Sequence, residues 1–263
     1  MDPALRTAAT GMAEQQTRTE VIANNLANVN TTGFKRSRAD FVDLLYQTVQ
    51  GAQTVSTADA STTPSIQVGR GTRLAGITRL HSQGALEQTQ RPLDLAIDGE
   101  GFFQVQLANG QTAYTRDGSF QISDQGTIVT SEGLTVLPGI KVPAEAAGVT
   151  ISANGIVSAS YSATSGQTTE LGRIELARFA NPAGLQAMGQ NLHAATAASG
   201  EAATGFPQDE GMGRLQQGYL EGSNVEIVQE MVDMITAMRA YEINSKAIKN
   251  SESMADIANN LVR

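Results

Sequence analysis

The chain contains no cysteine and no tryptophan. Without cysteine there can be no disulfide, no thiol nucleophile and no thiolate metal site, a composition that suits work in an oxidising space. Aromatic residues make up 5% and charged residues 17% of the sequence, too little for a chain organised around one dense aromatic core. No apolar run reaches the roughly 18 residues of a membrane-spanning helix, so no direct membrane insertion is expected. The N-terminus also lacks the ordered basic head, apolar core and cleavage site of a secretory leader. Bases are outnumbered by acids, 18 to 26, for a net charge of −8. That excess is spread along the chain and excludes nucleic acid as a partner. A length of 263 residues holds one large domain or two modest ones.

What is present begins with periodicity at both ends. Asp2-Pro3 reads as a helix start, and two rows then advance in sevens: Leu5, Met12, Thr19, Leu26 and Ala8, Gln15, Ile22, Val29. They form a heptad seam with polar interruptions, and Gly33 is the natural stop. Asn24, Asn25 and Asn28 are poor helix formers on this seam-bearing helix and are expected to set register or subunit packing. At the other end, residues 221–263 carry no glycine or proline after Gly222. Val225, Val228, Val232 and Ile235, then Met238 and Tyr241, then Ile243, Ala247, Met254, Ile257 and Leu261 fall mostly at three- and four-residue steps, marking one face of a helix. Ser223 and Glu226 fit a capping box. At about 1.5 Å per residue this helix runs to roughly 55 Å and needs a partner surface of similar length.

Between the ends the period changes. Residues 34–50 combine Lys35, Arg36 and Arg38 with Phe41, Leu44, Leu45 and Tyr46, as a short helix or an extended arm. Asp40 and Asp43 follow the bases, which favours a solvated or salt-bridged face. Residues 51–71 are rich in Thr, Ser, Ala and Gly and read as a connector. From about residue 72, turn dipeptides such as Asp98-Gly99, Asn109-Gly110, Asp117-Gly118 and Asn154-Gly155 punctuate short β-prone pieces at 102–107, 113–116, 120–123, 128–130, 135–137, 149–152, 156–161 and 174–179. That spacing indicates antiparallel β structure. The expected fold is α+β. Long N- and C-terminal helices (1–33 and 216–263) form a coiled-coil-like inner domain, a connector or extended arm spans 34–71, and an irregular antiparallel all-β domain spans 72–215.

Chemistry is hard to place on this sequence. His81 and His193 are far apart and neither has a metal-ligand spacing, so each reads as a surface or hydrogen-bonded structural residue. Asp94, Asp98 and Glu100 raise the thought of paired carboxylates acting on a polysaccharide, but Asp98-Gly99 is an ordinary hairpin turn. No nucleophile elbow or phosphate-cradling glycine motif occurs. No catalytic residue, cofactor site or metal site is assigned.

Ala23-Asn24-Asn25-Leu26-Ala27-Asn28 followed by Thr32-Gly33-Phe34-Lys35 resembles the N-terminal signature of the bacterial flagellar axial family, the rod and hook proteins. Ile97-Asp98-Gly99-Glu100-Gly101-Phe102-Phe103 and Tyr114-Thr115-Arg116-Asp117-Gly118-Ser119-Phe120 resemble its β domain. Residues from Gln217-Gly218-Tyr219-Leu220-Glu221 to Arg239-Ala240-Tyr241-Glu242-Ile243-Asn244-Ser245-Lys246 are similar to its closing helix. Chain length and the connector after Gln50 point to a rod subunit, distal with a proximal one as the alternative; the last ten residues depart from the likeness. The resemblance implies a helical homopolymer forming a hollow drive shaft between proximal rod proteins and the hook protein. Peptidoglycan and outer-membrane ring proteins would surround it, and the subunit would leave the cell through the flagellar type III apparatus without a cleaved leader.

Overall fold

A computed structural model describes residues 3–50, 53–54, 62–63, 65–161 and 168–261. The chain forms two compact units, one of Met1–Leu26, Ser37–Thr78 and Glu226–Arg263, the other of Ala27–Arg36 and Arg79–Val225. The architecture is α+β as the periodicity predicts: N- and C-terminal helices pack together and flank a central antiparallel β region.

In the first unit, helix α1 (Pro3–Ala27) lies antiparallel to helix α2 (Ile227–Leu261). The direction follows from the contacts: Asn25 meets Glu230, Arg18 meets Asp233 and Gly11 abuts Asn244. On α1 these positions are seven apart, the repeat that keeps a seam in register on a supercoiled pair. Strand Ser37–Asp43 pairs with Thr72–Arg79, and Tyr46–Gln50 pairs antiparallel with Ile66–Gly69. The expected connector thus carries strand pairing, which its Thr, Val and Ile residues favour; Gln53–Thr54 also pairs with Thr62–Thr63. Residues 51–52, 55–61 and 64 of that stretch lie outside the described residues, as does Asp2, the expected cap of α1.

The second unit is built on a nine-stranded antiparallel sheet, centred on Phe102–Gln106, and a three-stranded sheet of Gly148–Ile151, Ile156–Ser160 and Thr168–Arg173. The two-residue period of a strand sends neighbours to opposite faces. Phe103 and Val105 therefore enter the main core with Leu95, Ile97, Phe120 and Leu176, and Phe102 enters a smaller cluster with Tyr114, Ala177 and Phe179. Phe103 and Phe120 meet edge to face at 5.0 Å, the arrangement the ring quadrupole prefers. The strands at 112–115, 120–122, 128–130 and 156–160 fall within two residues of the turn-delimited pieces.

Two local expectations give way. The capping box at Ser223 does not form: Ser223 Oγ accepts from the Val225 N–H at 3.3 Å, and α2 begins at Ile227. Asn224 explains the delay. Its side-chain amide donates to Leu80 O (2.9 Å) and Ser82 O (3.1 Å) while its Oδ1 accepts from the Arg36 N–H (2.7 Å). These bonds hold the chain out of the helix until Asn224 is passed. Gly33 adopts the left-handed conformation (φ 68°), yet α1 ends earlier, at Ala27.

Candidate functional site

Two features stand out once the chain is folded: the division of α2 into a covered and an uncovered side, and a buried charge cluster in the β-rich unit.

The covered side of α2 is small and polar. Glu230, Ala237 and Ser251 are buried and Asn244 half-buried, a row in steps of seven. Asn25, itself buried, donates to Glu230 Oε2 (3.2 Å) and to Ser37 O (2.8 Å), and its Oδ1 accepts from the Ser37 N–H (2.9 Å). One side chain therefore ties both helices to the strand that follows. A Cβ on Gly11 would come within 2.9 Å of the Asn244 amide, so glycine permits close approach there.

The row singled out for its apolarity lies on the other side. Val228, Val232, Ile235, Met238, Tyr241, Ile243, Met254 and Ile257 are exposed by 44 to 75%. Of the remaining marked positions, Ile22 and Val225 are buried. Leu5, Met12, Leu26, Asn28 and Val29 are half-buried, and Asn24 is exposed. The side chain of Leu261 lies outside the described residues. Leu45, Tyr46, Val49, Ile66 and Val68 of this unit are exposed apolar residues as well. Large apolar side chains left exposed along one side of a helix mark an interaction face.

The second feature centres on Glu221, whose side chain is fully buried. Its carboxylate accepts from the Lys35 ammonium, the Gly84 N–H (2.9 Å) and Arg116 Nη1 (3.2 Å). The Glu221 carbonyl accepts from the Gly33 N–H at 2.8 Å. Lys35 also donates to Ser82 O (2.8 Å), and Arg116 Nη2 donates to Gly99 O (2.9 Å) with its guanidinium 5.3 Å over the Phe102 ring. Gly84 is required for space, since a Cβ there would lie 2.0 Å from Gly222 O. Burial pushes the Lys35 amine below its ordinary range, against the pull of Glu221.

His81 and His193 complete the cluster, their rings 5.9 Å apart and each packed edge to face on Phe102. Burial, then the neighbouring His193, Lys35, Arg79 and Arg116, lowers His81 to about 3. Burial, then Arg79 and Lys35, lowers His193 to about 4. Both imidazoles are neutral at ordinary pH.

Lys35 is the clearest correction. The adjacent acids suggest a solvated or salt-bridged face; Lys35 is salt-bridged, but its side chain is 1% exposed and its partner is the distant Glu221 rather than a neighbouring acid. The signal for it lies in the glycine-flanked motifs, where Gly33-Phe34-Lys35, Arg116-Asp117-Gly118 and Gly218-Tyr219-Leu220-Glu221 each contribute one charge. Neither histidine is a surface residue. Asp94, Asp98 and Glu100 make no paired-carboxylate site: Asp98 binds Arg214 (2.7 Å) and Gln216 (3.2 Å), and Glu100 lies 3.9 Å from Arg178. Among the described residues no group of three or more His, Asp or Glu side chains can hold a metal, and no helix is long and apolar enough to cross a membrane.

A polar helix pair with its apolar side uncovered, joined to a β-rich unit locked by buried charge, defines a structural subunit that is completed by assembly. Three family profiles match the chain. One described as a flagella basal body rod protein covers residues 5–35, one as the flagellar hook protein FlgE/F/G D1 domain covers 96–159, and one as the flagellar basal body rod FlgEFG protein C-terminal covers 216–261. The flagellar basal-body rod protein FlgG of Borreliella burgdorferi is 53% identical over 262 residues, 99% of this chain and 98% of the relative. FlgG of Caulobacter vibrioides is 48% identical over 259 residues, 98% of each chain. FlgF of that organism is 34% identical over 252 residues, 93% of each. The chain belongs to the flagellar basal-body rod and hook protein family, whose members are structural components rather than enzymes. Lys35, Arg116 and Glu221 fall one in each matched region.

Proposed function

We propose that this chain is the subunit of the flagellar distal rod, polymerising helically into a hollow, torque-transmitting shaft between proximal rod proteins and the hook protein. The observation that carries the reading is the uncovered apolar side of α2, since the helix pair spends its polar side on itself and leaves its apolar side for other copies. FlgG of Caulobacter vibrioides exceeds FlgF of the same organism in identity to this chain, 48% against 34%, which supports a distal over a proximal place. Leu5, Met12, Leu26 and Val29 on the N-terminal segment, with the exposed apolar residues from Val228 to Ile257 on α2, supply the assembly seam, while Ile22 and Val225, buried within the subunit, support it from inside. Asn25 sets the register of the helix pair within each copy, and Asn24 and Asn28 set that of the seam. The surrounding partners are peptidoglycan and outer-membrane ring proteins, and the export route is the flagellar type III apparatus.

Concentrating the purified chain should give tubes visible by electron microscopy. Ile235 is exposed by 52%, so Ile235→Asp leaves the free subunit folded while removing about 1.5–3 kcal/mol of burial per copy from the seam. A rise of roughly tenfold or more in the critical concentration is expected, because each 1.4 kcal/mol is a factor of ten. Sedimentation across a concentration series measures it. Tubes forming at the wild-type concentration would remove the apolar side of α2 from the assembly.

A further inference from the structure

We infer that Arg79 is the open end of a carboxylate-binding site in the β-rich unit, and that an acidic side chain of a second copy of this chain fills it in the polymer. The proposal rests on the polymeric role argued above.

Charge in the cluster does not balance within one copy. Lys35 and Arg116 are buried and Arg79 is half-buried, while among the described residues Glu221 alone of the carboxylates bonds to the group, with Glu100 acting on Arg116 only through its field. Glu221 is already occupied by Lys35, Arg116 and Gly84. Arg79 has no carboxylate partner among the described residues; its contact is Nη1 to His193 Nδ1 at 3.4 Å. Nη1 is the donor there, so Nδ1 of His193 is the acceptor and the ring is neutral. Arginine presents five N–H donors in a planar fork that matches a carboxylate bidentately, and one long bond to an imidazole leaves most of them unused.

The surroundings make an unpaired Arg79 costly. Partly burying a guanidinium without a counter-charge is unfavourable, and burial already works against the charged form of Arg79. Two further polar atoms of the cluster, Arg116 Nε and His81 Nδ1, are buried without a hydrogen-bond partner. A carboxylate arriving at Arg79 supplies the missing negative charge beside three cations. The chain itself is the natural source: with 26 acids against 18 bases, copies brought together present surplus carboxylates, and the field of the cluster selects for them.

Sedimentation of full-length wild type, Arg79→Lys, Arg79→Gln and Arg79→Glu tests the assignment. Arg79→Glu should raise the critical concentration at least tenfold, Arg79→Gln by less, and Arg79→Lys should recover part of the loss, with monomer melting temperatures of the Lys and Gln variants near wild type. Wild-type polymer with an unchanged critical concentration in Arg79→Gln and Arg79→Glu overturns the site while leaving the polymeric role standing. Absence of polymer from the wild type removes both. Sodium acetate that raises the melting temperature of wild-type monomer above chloride at equal ionic strength, but not that of Arg79→Gln, assigns the site to a free anion and overturns the second-copy occupant.

Discussion

Glu221→Ala should lower the stability of the folded chain by about 3–5 kcal/mol, the usual cost of removing one partner from a buried ion group. The carboxylate is fully buried and holds Lys35, Arg116 and the Gly84 N–H together. Truncating it leaves two buried cations without a counter-charge and a backbone donor without an acceptor. Urea denaturation measures the loss as a fall in midpoint at unchanged slope. The ion group itself is not the source of stability, because desolvating three charges offsets most of their attraction. A triple replacement, Lys35→Met, Arg116→Met and Glu221→Leu, should therefore recover most of what Glu221→Ala loses. What the charges supply is specificity: one residue from each of three distant segments must arrive before any is satisfied. A loss below about 1 kcal/mol for Glu221→Ala, the range of a solvent-screened pair, would show that the cluster is wet and not a lock.

Much of this fold is legible in the sequence because it is written in periods. Alternation bounded by glycine turns places the strands at 112–115, 128–130 and 156–160, and glycine-free three- and four-residue spacing places α2. What periodicity cannot say is which side of an amphipathic helix its own chain covers. On α2 the apolar side is the expected contact face, yet Glu230, Ala237, Asn244 and Ser251 pack inward. Small and polar residues let helices approach closely and bond in a defined register, and Asn25 does this with Glu230 and the Ser37 backbone. The charge cluster escapes a local reading for a related reason, although each of its charges sits in a glycine-flanked motif. Lys35 precedes Arg36 and Arg38, and local charge patterning reads such a group as a solvated or salt-bridged face. Its burial is decided by Glu221, 186 positions away. The failed capping box at Ser223 follows the same rule, since Asn224 bonds across the fold to Leu80, Ser82 and Arg36. Long-range polar pairing outvotes the local signal at each of these places.

Acidification should destabilise the chain well before its carboxylates are fully protonated, and the histidine pair sets the window. Unfolded, both imidazoles titrate near 6.5; folded, burial and the surrounding cations hold His81 to about 3 and His193 to about 4. Between those values the unfolded chain binds protons that the folded chain refuses. Stability is complete above pH 6.5 and is lost as pH falls toward 4 and then 3. Each unit of depression corresponds to about 1.4 kcal/mol. With a discount for the part of His81 that water reaches, the pair accounts for roughly 2–4 kcal/mol between pH 6.5 and 4.5. Melting temperature followed over that range measures it, with His81→Gln/His193→Gln as the reference. Glutamine keeps an acceptor for Arg79 and does not titrate, so the double variant should show a visibly flatter pH dependence. Carboxylates contribute equally to both proteins, and the difference between the two slopes belongs to the imidazoles. Parallel slopes in wild type and double variant would place the histidines in contact with solvent and outside the cation cluster.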